Sequence, residues 1–278
     1  MKKRRVIVIS CIIAIIVIIA GVFAAMFNLQ HISVEVMKNP SIVNAYGSDI
    51  GDKIIKSGEF PYGSNTMFTS YKDNEEKIEK AYPFVKVEKI VRRFPNKMTV
   101  YVSGRMPEVI VKDEATTNKW YVLDIDMKVL AVLYSASDFE NDMYKDLPIL
   151  RGSDIKNKES GDFLIENSKD VIINILDGIY GKDQTKSSVM SDITMDLENE
   201  KYTILLRDSD TTGAKIEING NDYLKEKVFS AYSLYCNLES DSRFPDKQKM
   251  YFIVGKDFVV NTNEKIIMKY DGEEVSPN

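Results

Sequence analysis

The fold is decided by a short stretch, Phe94-Pro95-Asn96-Lys97-Met98-Thr99-Val100-Tyr101-Val102. Its apolar residues Met98, Val100 and Val102 alternate with other residues, which is the period of a half-buried strand. Pro95-Asn96 supplies a turn, and an alternating run precedes it. The stretch therefore predicts a β-hairpin with strands at about 84–94 and 97–103.

The residues before this hairpin predict one strand and two helices. Ile32, Val34 and Val36 alternate with Ser33, Glu35 and Met37, as in a half-buried strand. A short helix should follow, beginning near Ser48 and ending at Gly58, and a second should cover about 73–82, where Pro83 stops it. Residues 28–105 therefore form a predicted β-α-α-β-β domain.

An apolar run of 22 residues, Val6 to Phe27, stands before this domain and directly behind the basic residues 2–5. At about 1.5 Å per residue a helix of this length covers about 33 Å, enough to cross a membrane. Basic flanking residues favour an N-terminus in the cytoplasm. We therefore expect a five-residue cytoplasmic tip, a transmembrane helix over 6–27 and extracytoplasmic domains after it. The alternative is a cleaved signal peptide ending near Ala24-Ala25.

Charge and cysteine content narrow the class of protein. Of the 37 basic residues four lie at the N-terminus, which leaves 33 against 42 acidic residues, a net charge of about −9 for the rest. Such an acidic surface argues against a nucleic-acid partner. The two cysteines are Cys11, inside the apolar run, and Cys236, so the exported part has no intramolecular disulfide.

Residues 106–264 predict a second domain, an antiparallel sheet with flanking helices, followed by a flexible tail over 265–278. One helix should bury Ile172, Ile175, Leu176 and Ile179, which are spaced i, i+3, i+4 and i+7. Another should follow Asn219-Gly220-Asn221. The predicted strands lie at about 108–113, in a hairpin over 120–134, and at about 191–197, 202–208, 214–218, 250–254 and 257–262.

Few residues suggest catalysis. His31 is the only histidine, so a metal site built from several histidines cannot form. A Ser-His-Asp or Cys-His centre at His31 would need more partners than the sequence indicates, and we expect His31 to be an ordinary residue at the start of the first strand. Cys236 is expected to be an ordinary helix residue. Two pairs of acids, Asp124 with Asp126 and Asp208 with Asp210, fall at predicted turns, where aspartate caps backbone donors. The Asp208 pair also lacks the glycine and the distal glutamate of an EF-hand. We expect no enzyme activity, cofactor or metal.

The order of these elements, the anchor and the 94–102 string together resemble the FtsQ/DivIB family of bacterial cell-division proteins, whose first extracytoplasmic domain is a POTRA domain. The family pattern of a strand ending in basic residues, a proline turn and a hydrophobic strand is matched by Arg92, Arg93 and Pro95 with the strand that follows. Arg105 and Pro107 match the start of the next domain. Gly104 stands where the family usually has glutamate, which puts any role of that acid in doubt.

The resemblance implies a non-enzymatic divisome scaffold. Such a protein binds FtsL-like and FtsB/DivIC-like division proteins, and through them supports septal peptidoglycan synthesis by FtsW and a class B penicillin-binding protein. In the family the last strands of the β domain make the main contact. We therefore expect a partner to add a strand to an exposed sheet edge in this region. The candidate contact residues are Tyr251, Ile253, Phe258, Val260 and Thr262.

Two other functions stay open at this point. A membrane-anchored hydrolase of the cell wall could use the paired acids. A sensor or adhesion ectodomain would need no catalytic residues at all.

Overall fold

The chain has an α+β fold in two compact units, Met1–Arg105 and Met106–Asn278. The computed structural model describes residues 12–22, 26–37, 41–64, 70–180, 189–208, 211–238, 241–258 and 266–276.

The predicted transmembrane helix is wrong. Residues 12–22 are helical (α1), and the remainder of the predicted span, apart from residues 26 and 27, lies outside the described residues. Among the described residues, none of the helices combines the length and the apolar character needed to cross a membrane. The same finding contradicts the single-pass membrane localisation that we predicted from residues 6–27.

The first unit pairs three strands in the order β1-β3-β2. β1 runs parallel to β3, and β2 runs antiparallel to it as the predicted hairpin. The structure adds one short helix, α2, that the sequence did not predict. The element bounds are β1 His31–Val36, α2 Ser41–Tyr46, α3 Ile50–Ser57, α4 Lys72–Ala81, β2 Val85–Arg93 and β3 Lys97–Gly104.

The spacing of apolar residues explains why the helices and strands of the first unit pack together. Ile50 and Ile54 lie one turn apart on α3 and are buried, and Ile78 of α4 is buried with them. Met98, Val100 and Val102 of β3 complete this core. The Asn74 side chain donates a hydrogen bond to the Gly58 carbonyl over 2.7 Å, which ties α4 to the end of α3.

The second unit contains a sheet with the strand order β13-β12-β11-β10-β9-β8-β7-β4-β5-β6. Its strands are β4 Val109–Lys112, β5 Trp120–Leu123, β6 Val129–Leu133, β7 Ile149–Arg151, β8 Met190–Asp196, β9 Lys201–Asp208, β10 Thr211–Asn219, β11 Met250–Val254, β12 Ile266–Tyr270 and β13 Glu273–Val275. Two helices accompany them, α5 Ser168–Tyr180 and α6 Leu224–Leu238.

The prediction of an antiparallel sheet is wrong, because this sheet is mixed. The pairs β4–β7, β7–β8 and β10–β11 are parallel. A parallel pair needs a long crossover rather than a tight turn, and α5 and α6 provide the crossovers from β7 to β8 and from β10 to β11.

Both helices lie on one face of this sheet. The predicted apolar stripe of α5, Ile172, Ile175, Leu176 and Ile179, is buried as expected. It joins Val228 and Ala231 of α6 and the inward residues of β8 to β11 in one core. The opposite face of β9 to β12 carries half-buried and exposed side chains, together with the buried Glu217.

The segment predicted to be a loose tail from Lys265 contains β12 and β13. Ile266 and Met268 are buried on the core face and Ile267 between them is exposed, which is the two-residue period of a strand. Asp271 and Gly272 have φ angles of 54° and 87°, which suit a two-residue hairpin turn. The predicted strand at 257–262 lies mostly outside the described residues.

Candidate binding surface

The structure places Tyr251 and Ile253 in the interior of the large sheet. β11 pairs with β10 on one side and with β12 on the other. Its backbone N–H and C=O groups are therefore already used, and strand addition at Tyr251 and Ile253 would have to displace β12. The prediction that this strand forms an open sheet edge is therefore wrong. Both side chains nevertheless remain half-exposed on one face of the sheet.

Phe258 does not form an exposed anchor. Its side chain is 6% exposed and belongs to the core beneath the sheet. Val260 and Thr262 lie outside the described residues. Of the three candidate contact residues that the structure describes, Tyr251 and Ile253 therefore lie together on an accessible surface and Phe258 does not.

Tyr251 is held on the open face by charged neighbours. Its hydroxyl donates a hydrogen bond to Glu217, and Lys201 forms an ion pair with the same carboxylate over 3.0 Å. Lys215 Nζ lies 4.6 Å from the centre of the Tyr251 ring. Burial opposes the ionised form of Glu217, but these bonds outweigh it and lower the pKa of Glu217. Burial and the bond to Glu217 raise the pKa of Tyr251. Tyr251 is therefore a fixed, neutral contact group.

An exposed pair of isoleucines lies beside this charged cluster. Ile253 of β11 is directly opposite Ile267 of β12, and Ile267 is 42% exposed. Cross-strand neighbours of this kind contact each other on one face of a sheet. Tyr251, Ile253 and Ile267 form what we call the β11–β12 face.

An open sheet edge lies next to this face. β13 pairs with β12 only, and in the described part of the chain no strand covers its outer side. At the other end of the sheet β6 is partly covered, because Val129 exchanges backbone hydrogen bonds of 2.8 Å with Asp162 and Gly161. The sequence analysis missed β13. The Asp271-Gly272 dipeptide, a strong hairpin signal, could have revealed it.

Successive residues of β13 point their backbone N–H and C=O groups alternately toward β12 and away from it. Tyr270 and Glu273 flank the two-residue turn and pair with each other, so the next residue, Glu274, opposite Lys269, directs its N–H and C=O away from β12. The Glu273 and Glu274 side chains are exposed. The edge therefore offers backbone partners within an acidic surface.

The structure places Asp124, His31 and Cys236, three of the residues considered for catalysis. Asp124 is buried, and its carboxylate accepts a 2.7 Å hydrogen bond from the Lys128 backbone N–H, as the turn interpretation predicts. His31 and Cys236 are exposed. Asp210 and the Asp208 side chain lie outside the described residues. Within the described ranges, no group of three or more His, Cys, Asp or Glu residues could hold a metal ion.

Glu108 is a buried acid that the sequence did not reveal. It is 9% exposed at the start of the second unit. Burial, with a smaller contribution from the charge of Asp124, raises the pKa of Glu108 to about 7. Burial of Glu108 therefore makes the stability of the fold depend on pH.

Comparison with known proteins leaves the family untested. No protein-family model matches the chain, and no curated protein matches it. The resemblance to the FtsQ/DivIB family therefore stays a prediction.

Proposed function

We propose that this chain is a non-enzymatic divisome scaffold that binds FtsL-like and FtsB/DivIC-like division proteins. Through these partners it supports septal peptidoglycan synthesis by FtsW and a class B penicillin-binding protein. The observation that carries the proposal is the open edge of β13 beside the β11–β12 face.

The edge supplies affinity through the backbone. An unpaired strand edge can bind an extended partner segment by continuing the sheet, while neighbouring side chains select the sequence. Tyr251, Ile253 and Ile267 give this face two apolar side chains and one fixed aromatic ring.

Charge restricts which segments can bind. Glu273 and Glu274 are exposed on a strand of only three residues. Short, charged edge strands resist indiscriminate pairing. A partner strand that carries basic residues opposite these glutamates is therefore favoured over an acidic one.

A proline substitution tests the edge directly. Proline lacks the backbone N–H, and in Glu274→Pro the lost N–H is the one that points away from β12. We expect the purified full-length variant to capture FtsL-like and FtsB/DivIC-like proteins at least about tenfold more weakly in biolayer interferometry. Glu274→Gln, which keeps the backbone donor, is the matched control and should lose little affinity.

The two parts of the proposal fail in different ways. If Glu274→Pro binds as tightly as the unchanged chain, β13 is not the contact. If the unchanged chain captures neither protein, and depletion of the chain leaves cells dividing without filaments, the scaffold function itself is wrong.

A further inference from the structure

A cavity of about 340 Å³ opens in the first unit, on the face of its sheet opposite the buried apolar core. Its volume is near the lower limit of the range of about 300 to 1,000 Å³ that is usual for ligand pockets. Its polar lining comes from all three strands, with His31 and Ser33 from β1, Arg93 from β2, and Lys97 and Thr99 from β3. Among the described residues, no acidic side chain lines it. The cavity is therefore lined by basic and hydroxyl side chains.

Three basic side chains of this lining lie side by side across the sheet. Lys97 of the central strand pairs directly with His31 on one side and with Arg93 on the other, and we call these three residues the basic row. All three are exposed. In the described part of the chain none of them forms an ion pair with a carboxylate. Arg93 and Lys97 are like charges in directly opposite positions, an arrangement that destabilises a sheet and that a bound anion would relieve.

A pair of hydroxyl groups lies next to the basic row. Ser33 and Thr99 are directly opposite each other, and their side-chain oxygens are 3.1 Å apart. One hydroxyl proton of the pair therefore lies between them. For the other, the described residues offer at most a long contact of 3.4 Å, from Ser33 Oγ to the Met98 carbonyl oxygen. This second proton can be donated to an oxygen of a bound anion.

Arg93 is held in place without being neutralised. Its guanidinium donates to the Tyr101 hydroxyl over 2.8 Å and has further N–H donors for a ligand. Glu35, the carboxylate on the same face of β1, lies opposite Tyr101. At about 3.3 Å per residue, Glu35 is about 13 Å along β1 from His31, so the hydroxyl pair separates it from the basic row. The row therefore keeps its positive charge.

We propose that this cavity binds one phosphate group, either inorganic phosphate or the phosphate monoester of a lipid headgroup. Arginine binds phosphate through two parallel N–H donors, and lysine binds it as a point charge. A phosphate monoester has three acceptor oxygens and close to two negative charges. Arg93, Lys97 and the hydroxyl pair supply two positive charges and donors from three strands. This set matches a doubly charged group with three oxygens better than it matches the single charge of a carboxylate.

The rest of the chain limits the ligand to a single group. With 42 acidic against 37 basic residues, the protein as a whole repels an extended polyanion such as a nucleic acid. The basic row is three residues wide, and Glu35 lies beyond the hydroxyl pair. The proposal concerns the first unit only and does not depend on the function of the β13 edge.

His31 provides a probe inside the site, because it is the only histidine of the chain. In full-length protein labelled with ¹³C-histidine, its imidazole gives a single NMR signal. We expect this signal to shift and saturate when inorganic phosphate is added at constant pH and constant ionic strength. Sodium acetate, which supplies a carboxylate at the same ionic strength, should produce no saturable shift.

One variant and its control locate the site. Lys97→Gln removes the central charge of the basic row at an exposed position, so the fold should be retained. Because a charge-assisted hydrogen bond is lost, we expect phosphate binding to weaken at least about tenfold. Lys89→Gln makes the same charge change on β2, opposite Tyr101 and outside the cavity lining, and should bind as the unchanged chain does.

Vesicles distinguish the two sources of the phosphate group. Sedimentation of the full-length chain with phosphatidylcholine vesicles is compared in the presence and absence of phosphatidic acid. An increase that requires both phosphatidic acid and Lys97 assigns a lipid headgroup, whereas saturation by inorganic phosphate without such an increase assigns soluble phosphate. No saturable effect of either phosphate source, an equal shift with acetate, or equal binding by Lys97→Gln would each overturn the proposal.

Discussion

Glu108, Asp113 and Lys227 are charged side chains that are buried in the second unit. Burial disfavours the ionised form of Asp113, but the Tyr121 hydroxyl and three backbone N–H groups donate to its carboxylate and hold its pKa at about 2. Lys227 Nζ donates to the Asn219 and Gly220 carbonyls over 2.7 and 3.1 Å, and burial lowers its pKa. Asp113 and Lys227 therefore keep their charge because hydrogen-bond partners compensate for burial.

Glu108 gives a prediction about pH. Its pKa is about 7 in the folded chain and near the usual 4.5 in the unfolded one, so between these values the unfolded chain releases the proton first. Stability should therefore fall as the pH rises from about 4.5 to 7. Glu108→Gln removes this cost, and we expect it to be more stable than the parent by about 2 to 3 kcal/mol at pH 8, with little difference at pH 4.

Urea denaturation followed by circular dichroism at both pH values measures this difference. Glu226→Gln, at an exposed position of α6, is the matched control and should follow the parent. Asp113 is present in the parent and in both variants, so its own contribution to the pH dependence cancels in the comparison. Equal effects of Glu108→Gln at pH 4 and pH 8 would contradict the burial argument.

At the scale of elements, periodicity predicted most helices and strands well. The alternation of Met98, Val100 and Val102 and the i, i+3, i+4 spacing from Ile172 appear in the structure as the buried faces of β3 and α5. The predictions from sequence failed where the environment of a residue or strand depends on residues that are distant in the chain. Lys227 resembles an ordinary helix-surface lysine until its carbonyl partners are known, and β11 resembles an edge strand until β12 is placed beside it.

The contact between α5 and α6 gives a prediction at this scale. A Cβ atom on Gly178 would lie 2.7 Å from the Val228 Cβ and 2.8 Å from the Lys225 carbonyl oxygen. Gly178→Ala gains up to about 1 kcal/mol of helix propensity but overpacks the contact, at a cost of about 1 to 3 kcal/mol. We expect a net loss of about 1 kcal/mol in the free energy of unfolding, measured by chemical denaturation.

Gly51→Ala in α3 is the matched control. There the added Cβ would meet only the Val34 Cβ at 3.8 Å, an ordinary van der Waals distance. This variant should be unchanged or slightly more stable, because only the propensity gain applies. If Gly178→Ala proved as stable as Gly51→Ala, the two helices would not pack as closely as the structure indicates.

For the whole molecule, the position of a strand within its sheet should set its resistance to opening. β9 has strand partners on both sides, and β3 occupies the same central place in the first unit. Strands at an edge lose fewer contacts when they open locally. Hydrogen–deuterium exchange followed by mass spectrometry should therefore show slow exchange in β9 and β3 and fast exchange in β13. Protection of β13 equal to that of β9 would show that its edge is covered in solution, and would also weaken the proposed binding site.

The sequence by itself determined the α+β class, the 84–103 hairpin and the apolar faces of α5 and α6. These features depend on local spacing and composition, which a chain carries before it folds. Only the tertiary structure decided that the sheet is mixed, that β11 is interior, that Phe258 is buried and that β13 forms the open edge. It also corrected the membrane span expected from residues 6–27. Strand order and burial depend on contacts between residues distant in sequence, and periodicity contains no information about which neighbour a strand will have.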